Sequence, residues 1–168
     1  MKRASILALL LACAASAGAA APSDCWALRK HGHKPEAQTC FEGLTRSEDA
    51  YVRAEGLWGL EQWDQANEQF RMATQPANSK ALCKVRWGLL LHERFNDGDA
   101  ADLFREALTK DPSNAEAYLG LATVSEESFS GKAAEYAGKA IELDPHGRRG
   151  ALSKAAMREQ TVWGVVKV

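Results

Sequence analysis

Few side chains in this chain could do chemistry, and their spacing argues against catalysis. His31 and His33 flank Gly32 in a predicted turn, with Glu36 close behind, a trio of metal-ligating types. The same three residues suit an exposed polar loop, and no metal is expected. His92-Glu93 begins like the zinc-protease motif H-E-x-x-H, but Asn96 stands where the second histidine belongs. Zinc chelation by a helix needs two imidazoles one turn apart on one face, so that reading fails. Asp97-Gly98-Asp99 carries part of a calcium loop without the remaining ligand positions. Glu126-Glu127 falls near a predicted helix end, where the two carboxylates are expected to be solvated rather than catalytic. Nucleophile elbows, phosphate-cradling glycine loops and dinucleotide fingerprints are missing from the sequence. A non-enzymatic chain without a small-molecule cofactor is expected.

Composition narrows the classes further. With 168 residues, 46% of them apolar and 26% charged, the chain suits one small folded unit with a real core. Its formal net charge of -1 offers no basic field for nucleic acid. Residues 1–19 read as an export signal: Lys2 and Arg3, an apolar run from Ala4 to Ala12, then small residues. The run is too short to span a bilayer. Two processings fit. Cleavage after Ala17-Gly18-Ala19 leaves a mature chain from Ala20, whereas Leu10-Leu11-Ala12-Cys13 has the form of a bacterial lipobox that would leave Cys13 lipidated. An exported, periplasmic or secreted protein is expected, with membrane contact only if Cys13 is lipidated. Beyond Cys13 lie Cys25, Cys40 and Cys83, none in a C-x-x-C pair, so zinc and thioredoxin-like chemistry have no support.

The elements that carry these residues repeat. Ala66-Phe70-Ala73 recurs as Ala100-Phe104-Ala107 and, more weakly, as Ala133-Ala137-Ala140; the steps from 66 to 100 and to 133 are 34 and 33 residues. A period in that range marks stacked helix pairs rather than one closed globule. Helices are predicted near Glu48–Leu60 and Asp64–Thr74, Lys80–Arg94 and Asp99–Thr109, Ala115–Glu126 and Lys132–Leu143. Ser79 is a candidate cap of the third of these, and Ser113-x-x-Glu116 a candidate capping box of the fifth. Asn96-Asp97-Gly98 is the expected break within the second pair, since Asn and Gly tolerate the left-handed conformation of a helix end. Asp111-Pro112 and Asp144-Pro145 end the later helices.

Over Ser47 to Gly147 the chain resembles the tetratricopeptide repeat (TPR) family. Trp87-Gly88, Leu91, Ala100, Phe104, Ala107 and Pro112 fill that family's pattern nearly completely. Ala54, Leu57, Trp63, Ala66, Phe70 and Ala73 do so one unit earlier, with Asn78 in place of the proline. Tyr118, Leu121, Ala122, Ala133, Ala140 and Pro145 do so one unit later, with Ala137 in place of the aromatic. The resemblance implies an all-α, right-handed α–α superhelix of about three helix pairs plus capping helices. The units are residues 47–80, 81–114 and 115–147, preceded by a capping hairpin at 20–46 and followed at 148–168 by a capping helix (Gly150 to Gln160) and an apolar tail.

Within the capping hairpin, antiparallel partners across the turn have position numbers of constant sum. Leu28 with Ala37 gives 65, as do Asp24 with Phe41 and Cys25 with Cys40. A Cys25–Cys40 disulfide with Cys83 left free is expected; two small buried core cysteines are the alternative.

The resemblance also implies a concave groove that receives a peptide. Carrying its positions over gives Glu48, Tyr51, Glu55 and Trp58, then Leu82, Val85, Leu89 and His92, then Glu116, Leu119, Thr123 and Glu126. Such a face is apolar and aromatic at its middle, acidic at its flanks and poor in Lys and Arg, which suits a peptide with apolar anchors and some basic character. Trp58 and Tyr51 are the expected hot spots, while Trp63 and Trp87 face the core. Alternatively the tail, Thr161 to Val168, fills the groove in place. The expected function is a protein-interaction module of a bacterial cell envelope. An outer-membrane lipoprotein assembly factor, or the recognition part of a secreted peptidase without its catalytic domain, are the alternatives.

Overall fold

A computed structural model describes residues 20–77, 79–127 and 131–145. Residues 1–19 with the expected export signal and Cys13, Asn78, and the segment expected to form a C-terminal helix and apolar tail lie outside the described residues. Among the described residues eight helices follow one another: α1 (Pro22–Lys30), α2 (Lys34–Leu44), α3 (Ala50–Gly59), α4 (Trp63–Thr74), α5 (Ala81–Glu93), α6 (Asp97–Lys110), α7 (Ala115–Glu127) and α8 (Ala133–Leu143). There is no strand among the described residues. Each helix packs mainly on its neighbours in sequence, and α1 also touches α3 as α5 touches α7. Paired helices stacked in chain order make a helical repeat solenoid.

Small residues set the pitch. Phe104 is fully buried between α5 and α7, where a Cβ at Gly88 would lie 2.7 Å and one at Gly120 2.5 Å from its ring. Only glycine on both sides lets the ring close the gap between successive pairs. Phe41 and Phe70 are likewise fully buried in the two preceding layers. In the last layer Ala137 takes the slot.

The turn inside each of the first three pairs has one form. His33 N donates to Leu28 O (3.0 Å), Gln62 N to Leu57 O (2.9 Å) and Asn96 N to Leu91 O (2.9 Å). The residue before each donor is left-handed: Gly32 (φ 82°), Glu61 (φ 60°) and Phe95 (φ 61°). This six-to-one bond around a left-handed residue is a Schellman helix end. The expectation that Asn96 or Gly98 takes the left-handed position is therefore corrected. Asn96 instead caps α6, its side chain accepting from Asp99 N at 3.4 Å, and Gly98 lies within the helix.

Two other caps differ from expectation. Lys80, not Ser79, holds the N-cap position of α5, without a side-chain cap bond, and Ser79 Oγ donates to Thr74 O at 3.2 Å. Ahead of α7, Asn114 Oδ1 accepts from Ala117 N at 3.0 Å. That bond places the cap one residue after Ser113, whose hydroxyl donates to Asp111 Oδ1 instead. Neighbouring Ser, Asn and Asp compete for one role, and the chain's entry angle selects among them.

Candidate functional site

The side of the stack formed by α1, α3, α5 and α7 carries a cleft of about 760 Å³. Its lining includes Trp26, Tyr51, Glu55, Trp58, Leu82 and Arg86, with Arg29 and Lys30 of α1 and His31 just beyond it on one side and Glu116 of α7 on the other. Every odd-numbered helix in this row thus contributes to one surface.

A charge lies at the floor. Glu55 is fully buried and holds Arg86 by two hydrogen bonds, from Nε at 2.6 Å and Nη2 at 2.7 Å. Trp26 Nε1 donates to the same carboxylate at 2.6 Å. The Arg86 guanidinium also lies over two indoles, 4.4 Å from the ring centroid of Trp58 and 5.4 Å from that of Trp26. Burial works against the Arg86 charge, but the bonds from Glu55 hold its pKa above the ordinary guanidinium value. Tyr51 is pushed well above the usual phenol range, first by burial and then by the Glu55 charge. A buried carboxylate is tolerated because both of its oxygens are engaged by donors.

Trp58, expected to project into the groove, is instead 6% exposed. Trp26 meets it edge-on with centroids 5.0 Å apart, Phe70 supports it from behind, and its Nε1 donates to Glu93 at 2.7 Å. Through Trp26, α1 folds over it. Val85 is also corrected: it is fully buried, packed in the cluster around Phe104. Glu55 belongs to the ion pair rather than to an acidic flank, and Arg86 breaks the expected scarcity of basic residues.

Tyr51 is half-buried at the cleft. Leu89 is half-buried between the two larger core clusters. His92 Nδ1 is 2.7 Å from Asp97 Oδ1 near the end of α5, and Leu119 and Thr123 are half-buried on α7. None of these last four lines the cleft. Leu82 does, and it is 40% exposed. Trp63 and Trp87 are half-buried against the Trp58 cluster. Trp26 and Arg86 were missed by sequence reasoning. Arg86 could have been found by asking what would pair a glutamate on the inner face of α3.

Cys25 and Cys40 are joined by a disulfide with Cα atoms 5.4 Å apart, and Cys83 is free and buried. No group of three or more metal-ligating side chains occurs among the described residues. Nor is any described helix long and apolar enough to cross a membrane.

A solenoid of stacked helix pairs with a residue-lined inner face is the class this geometry defines. Comparison with solved structures gives the particular fold, that of tetratricopeptide-repeat proteins. The Arabidopsis OM64 TPR domain superposes with a TM-score of 0.61 at 19% identity, over 70% of this chain and 98% of that one. YrrB, described as a TPR protein with an unusual peptide-binding site, gives 0.59 at 20% identity over 78% and 71%. MamA from Desulfovibrio magneticus RS-1 gives 0.54 at 20% identity over 74% of each chain. No protein-family model matches the sequence, and no curated protein matches it significantly.

Proposed function

We propose that this chain is a non-enzymatic interaction scaffold of the bacterial cell envelope that holds a peptide segment of another protein in the cleft between α1, α3, α5 and α7. The observation that carries the reading is the cleft itself: an open trough of about 760 Å³ with an exposed leucine, three aromatic side chains and a self-neutralised floor. Apolar anchors with a few fixed polar groups are what a peptide site needs. The TPR fold supports a protein partner rather than a small-molecule substrate or nucleic acid. Residues 1–19 and the Cys25–Cys40 bond support export.

The charge of the ligand follows from the rim. Glu55 is spent on Arg86, and the α1 side presents Arg29, Lys30 and His31. A peptide with an apolar anchor over Leu82 and an acidic residue toward α1 fits this rim, replacing the basic character expected from sequence. Selection from a displayed peptide library with the mature chain tests it. Enriched peptides are expected to share an apolar residue followed or preceded by Asp or Glu, and Leu82→Glu is expected to weaken them at least tenfold. Equal binding by Leu82→Glu, with an unchanged far-ultraviolet spectrum, overturns the cleft as the site.

A further inference from the structure

Helix α1 supplies one whole wall of the cleft, with Trp26, Ala27, Arg29 and Lys30 facing it. Yet among its nine residues only Cys25 is fully buried. Its other fastenings are a few part-buried side chains, with Trp26 and Leu28 packed against the edge of the core. Trp26 reaches Glu55 and packs edge-on against Phe41 and Trp58, and Arg29 donates to the Gly59 carbonyl while lying over the Phe41 ring. A polar helix this short does not persist alone in water. Its neighbour α2, by contrast, is seated by Ala37, Phe41 and Leu44, all buried. The disulfide ties the weakly seated helix to the firmly seated one.

We propose that the Cys25–Cys40 pair is a thiol–disulfide switch for the cleft: with the bond closed α1 stands over Trp58 and Glu55, and with both cysteines as thiols α1 leaves and the wall is lost. Its functional consequence rests on the reading of the cleft as a peptide site. Cys40 is half-buried and Cys25 fully buried, so Cys40 is the sulfur that meets a redox partner. Closure takes a disulfide oxidant, either a small molecule or a protein. The Cys40 thiolate attacks one oxidant sulfur, and the other leaves as a thiolate. The Cys25 thiolate then attacks the Cys40 sulfur and expels the remaining oxidant sulfur. Two electrons pass to the oxidant, and the two cysteine protons end on its two thiolates. A dithiol reductant runs the same steps backward. Cys83 stays out of the exchange, since it is buried on α5 and burial pushes its thiol pKa up.

Amide hydrogen exchange of the full chain tests the switch in three forms: oxidised, reduced with dithiothreitol, and Cys25→Ser/Cys40→Ser. Protection across residues 23–31 is expected to fall at least tenfold in the reduced and serine forms, while α5 and α6 keep theirs. Retained protection across 23–31 after reduction overturns the switch. So does loss of protection throughout α3–α6, which would make the bond a staple of the whole fold, and so does alkylation of both cysteines before any reductant is added. Peptide capture is measured on the same samples and is expected to fall with α1. Unchanged capture once α1 is released supports the switch and overturns the cleft as the peptide site.

Discussion

Glu55 and Arg86 stand 31 positions apart in sequence and 2.6 Å apart in space. Their side chains are 1% and 19% exposed. A buried ion pair adds little over a well-packed apolar pair, but removing one member strands the other charge. Arg86→Ala should therefore cost about 3–5 kcal/mol in urea unfolding, and Glu55→Gln/Arg86→Met should cost less than that single change. Equal losses would mean that the pair is not sealed from water. Tyr51 gives a second handle on the same spot. Because burial and Glu55 raise its pKa, the unfolded chain ionises first, from about pH 10 upward. Stability from this group is complete below that value and falls as pH rises toward the folded pKa. Phenolate absorbance should accordingly show Tyr51 resisting alkali until the fold opens. Neither Arg86 nor Trp26 was legible as a site residue in the sequence. Their roles depend on how far apart α1, α3 and α5 come to rest, which no local pattern records.

Helix pairs were far more legible, since their spacing is written in small residues that must recur. Ala100, Phe104 and Ala107 are all fully buried because one face of α6 must meet both α5 and α7. Phe104→Ala should cost about 3–5 kcal/mol through the cavity it opens, read as a lowered thermal midpoint; an unchanged midpoint would contradict the packing. Turn conformations were not legible. The left-handed slot sits at a fixed place in the Schellman turn whatever residue fills it, and in the second repeat it falls on Phe95 rather than on the neighbouring Asn or Gly. Phe95 is 90% exposed, so removing its ring gives up almost no burial. Phe95→Gly should therefore stabilise the chain by about 1 kcal/mol in urea unfolding. A loss of stability would show that the phenyl ring holds the turn.

At the scale of the whole molecule the order of helices is also an order of mechanical linkage. Pairs that touch only their neighbours should come apart one at a time when the chain is stretched from its ends. The Glu55–Arg86 bridge alters that order, because it fastens α3 directly to α5 across the intervening α4, and Trp58 adds a second tie to Glu93. Under tension the α3–α4 and α5–α6 pairs should then yield together. Ala50 to Lys110 would release roughly 200 Å of contour in one event, at about 3.4 Å per residue. Single-molecule extension of the chain should show that long step, and Arg86→Ala/Trp58→Phe, which removes both ties, should split it into two of about half the length.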